Sequence, residues 1–185
     1  MGGWGGRADW GGSNWGESGE MGEFGPVPPG EHCANAADWD GGAADAEQKL
    51  LEVLNFARER GEPCESNTGE AAPPLAMRAE LRCAARLHSL DMVERDFFDH
   101  TNPDGTGPEE RIRETGYSFR VASESICCEI SESSGMDPYD MAPYDALAEL
   151  FDAGGNDCKN LVDPWFDAVG IGYFGGYWTL DFAGP

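Results

Sequence analysis

The stretch FDAVGIGYFGGYWTLDF, residues 166–182, constrains the fold of this chain more than any other. Its first half alternates, with Val169, Ile171 and Tyr173 on one side, which is the period of a strand. Gly175-Gly176 is a two-residue turn of the kind that closes a hairpin, and YWTLDF returns antiparallel to the first strand. A sheet with one apolar face must be covered, so the helical segments upstream have to pack on it.

Four such segments are readable. From Ala44, ADAEQKLLEVLNFARERG places Leu50, Val53, Leu54 and Ala57 on one face, and Gly61 stands where a C-cap glycine belongs. EPCESNTGEAAPPLAM is a loop that feeds a second helix at about Arg78, with Leu81, Ala85, His88 and Met92 at helical spacing. Near Asp96 that periodicity fails. Phe97 and Phe98 anchor the chain, and Asp99-His100 opens a polar turn, Asn102-Pro103-Asp104-Gly105-Thr106. PEERIRETG starts a third helix behind Pro108 and stops at Gly116, and PYDALAELFDA is a fourth. Between them, YSFRVASESICCEI reads as a strand or an extended loop. The expected class is α+β, an α/β/α sandwich around a central antiparallel sheet.

Length and charge narrow the function. At 185 residues there is room for one ordinary domain with a proper core. A formal charge of -23, from 35 acidic against 12 basic residues, argues against nucleic acid and anionic membrane surfaces. No stretch is apolar enough to predict a membrane-spanning helix. Six cysteines (Cys33, Cys64, Cys83, Cys127, Cys128, Cys158) contain no CxxC pair, so disulfides in an oxidising compartment are expected, in an order the sequence leaves open. The opening MGGWGGRADWGG has no basic region followed by an apolar run, so an export signal is expected to have been removed or to lie upstream. Residues 1–30, with eleven glycines and Trp4, Trp10 and Trp15, read as a disordered leader or linker. Residues 31–43 read as a connecting segment with Cys33, and 44–184 as the domain.

The words HSLDM, FFDHTNPDG, ERIRETGY, SESI and GIGYFGGYWTLDF, in that order, resemble the CAP superfamily of cysteine-rich secretory proteins, antigen 5 and pathogenesis-related proteins, in its bacterial secreted branch. The resemblance covers about residues 44 to 184 and implies the same sandwich, an extracellular or cell-surface location, and a cleft with two histidines and two acids that often holds a divalent metal. His100 matches the first family histidine. Glu124, in Ser123-Glu124-Ser125-Ile126, matches the first glutamate although both flanking residues differ. Asp157 stands where the second histidine is expected, in Gly154-Gly155-Asn156-Asp157-Cys158-Lys159-Asn160. At the second glutamate's place there is only glycine, with Asp152 nearby.

His100, Glu124 and Asp157 are therefore the candidate cleft and the candidate metal ligands. Replacing an imidazole by a carboxylate moves the preference from zinc toward calcium or magnesium. His88 lies on the apolar face of its helix and reads as a core histidine, while His32 carries little weight. The Asn102–Thr106 segment lacks the spacing of an EF-hand loop. With no G-x-S-x-G and no H-E-x-x-H, nucleophilic and zincin hydrolase readings have no motif. The expected function is a non-catalytic binding module for an extracellular ligand or partner. The rivals are a metal-dependent hydrolase, with Glu124 or Asp157 as general base and His100 as ligand, and a structural or adhesion module.

Overall fold

A computed structural model describes residues 27–64, 69–127 and 138–185. Six helices and four strands follow in the order α1 (Ala34–Ala37), α2 (Gly41–Arg60), β1 (Ala76–Met77), α3 (Ala79–Arg95), α4 (Pro108–Glu114), β2 (Val121–Cys127), α5 (Pro138–Ala153), α6 (Gly155–Val162), β3 (Ala168–Phe174) and β4 (Tyr177–Gly184) among the described residues. The hairpin is β3 and β4 in the expected register, Phe174 opposite Tyr177 across Gly175-Gly176. Within the ambiguous segment, Val121–Cys127 form strand β2, antiparallel to β4. The sheet order is β1-β3-β4-β2. It is mixed rather than wholly antiparallel, because β1 adds two residues parallel to β3, Ala76 beside Ala168 and Met77 beside Val169. So short a strand, in the loop ahead of α3, has too few residues for an alternation to be read.

The two faces of the hairpin differ in kind, and each chooses its own layer. Val169, Ile171, Trp178, Leu180 and Phe182 join one core with residues of α2, α5 and α6. The opposite face of β3 is Ala168, Gly170 and Gly172. A Cβ on Gly170 would come within 2.0 Å of the Leu81 carbonyl carbon, and one on Gly172 within 2.4 Å of the same atom of Ala85. Helix α3 therefore rests on β3 backbone to backbone, a contact only glycine permits. A second core lies in that layer, with Leu81, Ala84, Ile112, Ala168 and Ala183. The α/β/α sandwich is thus set by one strand that is bulky on one side and bare on the other.

Local chemistry fixes the helix ends. Asp40 Oδ1 accepts from Ala43 N at 3.0 Å and starts α2 at Gly41, three residues before the sequence pattern begins. Gly61, at φ 67°, closes it with its N–H on the Ala57 and Arg58 carbonyls. Helix α5 starts upstream of the expected point and carries Pro143 inside it. Helix α6, within GNDCKNLV, had no apolar run long enough to announce it.

Buried ionic groups join the layers. Glu47 of α2 is fully buried; it accepts from Arg82 and Arg86 of α3 and from the Tyr173 backbone N–H. That carboxylate occupies part of the β3 edge that β1 does not reach. Arg58 donates to the carbonyls of Pro73, Leu161, Asp163 and Phe166, and burial draws its pKa down to about 10. Two disulfides, Cys33–Cys83 and Cys64–Cys158, tie the entry segment to α3 and the loop after α2 to α6. Val27, Cys33 and Ala36 bury against Cys83, so the segment before α2 packs on the domain. The expected leader falls outside the described residues up to position 26, as does Cys128.

Candidate functional site

The end of α3 delivers the first group. Asp96, at φ 53°, turns the chain out of the helix, and its N–H bonds the Met92 carbonyl. The Phe97 ring then packs on the His88 ring at 5.8 Å. Beyond it, Asp99 Oδ1 accepts from Thr101 N, and Asn102 Oδ1 accepts from Asp104 N and Thr106 N. These Asx contacts make the expected turn. Arg111 of α4 donates to the His100 carbonyl at 2.9 Å and to the Thr106 carbonyl at 3.0 Å, so both ends of the turn hang from one guanidinium.

That guanidinium also reaches strand β2. Glu124, whose side chain is 1% exposed, bonds Arg111 through Oε2 at 2.6 Å and His100 Nδ1 through Oε1 at 2.8 Å. His88 Nε2 lies 3.8 Å from the same Oε1 and faces the Asp99 carbonyl at 3.1 Å. From the other layer, Asn160 of α6 donates to the Glu124 carbonyl and to Ser125 Oγ. Burial opposes a charge on Glu124, but His100, Arg111 and His88 together outweigh it and hold the carboxyl below its usual range. The hydrogen bond to Glu124 raises the pKa of His100 against partial burial, with Asp157 and Asp99 adding through their charge. Burial takes the fully buried His88 down to about 4.

The three residues expected in the cleft are thus placed unequally. His100 and Glu124 are in direct contact. Asp157, in the first turn of α6, acts on His100 through its charge. Two residues that sequence reasoning set aside belong to the same cluster. His88, read as a core residue, is buried as expected, yet its ring is turned toward Glu124. Asp181 was part of the returning strand. It pairs with Glu124 in the β2–β4 register and is fully buried beside it. Burial, and then the charge of Glu124, push its pKa well above the ordinary carboxylate range. It alternates with Thr179 and Tyr177 along β4, polar side chains that give no sign of burial in the sequence.

This arrangement defines what each group is able to do. Each oxygen of Glu124 accepts one bond, from His100 and from Arg111, so the carboxylate orients the His100 ring. With Nδ1 donating to a carboxylate, the neutral His100 ring carries its lone pair on Nε2, and its side chain is 49% exposed. Among the described residues, no group of three or more His, Cys, Asp or Glu side chains is arranged to hold a metal ion.

The pattern of the Cysteine-rich secretory protein family, CAP, matches residues 51–182. The chain belongs to the CAP family. The uncharacterized protein YkwD of Bacillus subtilis (strain 168) is 27% identical to it over 140 residues, 75% of this chain and 47% of that protein. The chain thus spans about half the length of this relative. An extracellular protein containing a SCP domain from Bacillus anthracis str. Ames superposes with a TM-score of 0.63 at 22% identity, covering 77% of this chain and 41% of that one. An outer surface protein of Borrelia burgdorferi gives a TM-score of 0.59 at 14% identity over 76% of this chain and 92% of that one. At these identities the two structures establish the CAP fold alone.

Proposed function

We propose that this CAP domain is an extracellular or surface-tethered binding module, and that its cleft takes up a divalent ion weakly through His100 and Asp157. An exposed His100 held by Glu124, with the charge of Asp157 acting on it, carries the reading. Glu124, bonded to both an imidazole and a guanidinium, supports these groups, and the sequence supplies no G-x-S-x-G or H-E-x-x-H motif beside them. The two disulfides suit an oxidising compartment. The Bacillus anthracis and Borrelia relatives are described as an extracellular and an outer surface protein. One imidazole nitrogen and one nearby carboxylate leave most of an ion's coordination to water, which calcium and magnesium tolerate better than zinc does.

Calorimetric titration of calcium, magnesium and zinc into the metal-free chain tests this. The expected result is a calcium or magnesium Kd on the order of 10⁻⁴–10⁻³ M, as in weak extracellular sites, abolished by His100→Ala, with Asp157→His moving the preference to zinc. Tight zinc binding by the unaltered chain that is lost on His100→Ala would show that the exchange of histidine for Asp157 has been misread. Hydrolysis of casein that disappears in Glu124→Gln would replace the binding module by the hydrolase.

A further inference from the structure

Two aromatic pairs, Trp39–Phe174 and Tyr177–Phe98, meet at the end of the β3–β4 hairpin. The Phe98 ring lies 5.8 Å from Tyr177, Tyr177 faces Phe174 across the hairpin end, and Phe174 lies 5.5 Å from Trp39. Phe98 and Phe174 are 47% and 36% exposed, although large apolar side chains ordinarily turn inward. The row joins three separate parts of the chain: the segment ahead of α2, the β3–β4 turn and the α3 exit. Core packing does not account for it, because the rings lie outside the buried clusters of the sandwich.

The charge around the row specifies what covers it. At the Trp39 end Asp38 and Asp40 are exposed, and at the Phe98 end Glu94, Asp96 and Asp99 are exposed. The guanidinium groups of Arg86 and of Arg95, which stacks on the adjoining Phe97, are already engaged. Arg86, stacked on Trp39 at 5.0 Å, is held by Glu47, and Arg95 is clasped by Asp91 and Asp104. An aromatic centre with a rim of one sign has the anatomy of a recognition surface, the rings supplying burial and the rim supplying partner choice. Phosphate-bearing partners are repelled by such a rim and by the net charge of -23.

We infer that the Trp39–Phe174–Tyr177–Phe98 row is the docking surface for a cationic, amphipathic segment of a protein partner, whose apolar side chains cover the rings while its lysines or arginines meet the acidic rim. The inference rests on the reading of the chain as a binding module and names the partner chemistry. The full chain is titrated against a labelled amphipathic peptide of leucine and lysine and against a lysine-only peptide of equal length, read by fluorescence anisotropy. The leucine–lysine peptide is expected to bind at physiological salt roughly ten-fold more tightly than the lysine-only one. Phe98→Ser/Phe174→Ser should remove about that factor, the scale of losing central anchors, while leaving the lysine-only affinity unchanged. Circular dichroism verifies that the variant folds, and Phe174→Ser alone, distant in sequence from His100, is expected to keep the heat of ion titration, which separates failure here from failure of the ion reading. Equal affinity for the two peptides, or no loss in the double variant, overturns the inference. So does concentration-dependent dimerisation, or uptake on neutral phosphatidylcholine vesicles, that the double variant abolishes; these outcomes assign the row to a second copy or to a lipid surface.

Discussion

The approach of α3 to β3 at Gly170 leaves no room for a side chain, and a single methyl group tests it. Gly170→Ala adds one methyl group at a point 2.0 Å from the Leu81 carbonyl carbon, 2.2 Å from its oxygen and 2.4 Å from Arg82 N. Ordinary contact there would be about 3.5–4.0 Å, so α3 and β3 must separate by more than an ångström. The obstacle is backbone on both sides and no rotamer relieves it. Overpacking in cores typically costs about 1–3 kcal/mol, and here the upper end, about 3 kcal/mol, applies because a whole helix moves. For a chain of this length that is a fall of roughly 6–12 °C in Tm. Gly41→Ala is the matched control. It is the same chemical change at the first residue of α2, with nothing within 4 Å and no left-handed φ, and it should be neutral or stabilise by up to about 1 kcal/mol. Urea denaturation of the two variants beside the parent gives both numbers. A Gly170→Ala protein within about 0.5 kcal/mol of the parent would refute the close docking of α3, and with it the reason His88 and His100 stand where they do.

Further expectations follow from the cluster and the bridges. His88, with its pKa drawn down to about 4, binds a proton in the unfolded chain before it does in the folded one; stability therefore falls as pH drops from about 6.5 toward 4, by about 3 kcal/mol. His88→Asn should flatten that limb of the pH–stability curve, and an unchanged slope would contradict the burial argument. His100 has the opposite sign, since its folded pKa is raised: its pair with Glu124 stabilises below about 6.5 and loses that contribution as pH rises through the raised pKa. Glu124→Gln should lower the His100 pKa in an NMR titration, and a rise would reverse the assigned cause. Replacing Cys64 and Cys158 together by serine opens a loop with a sequence separation of 94 and should cost about 2–5 kcal/mol, measured by urea denaturation against the parent.

Much of the scaffold was written in local sequence. The hairpin, the second and third helices, the polar turn after Phe98 and the sandwich class all follow from periodicity, turn residues and caps, which act over a few positions and survive in one dimension. Family words put His100 beside Glu124 although 24 residues separate them. Three-dimensional packing decided the rest. Gly170 and Gly172 look like breaks in a strand, and only the approach of α3 shows that they are its seat. Glu47, Arg58 and Arg86 look like solvated charges on helices, because burial of a charge depends on partners that other segments supply. Asp181 has the same history. An acid at an alternating position reads as solvent-facing, and its burial against Glu124 exists only once β2 and β4 are aligned. That Arg111 and His100 take one oxygen each of Glu124 likewise became visible only in the packed chain. Sequence spacing fixes which residue types are present, but the occupancy of a lone pair is a matter of tertiary contact.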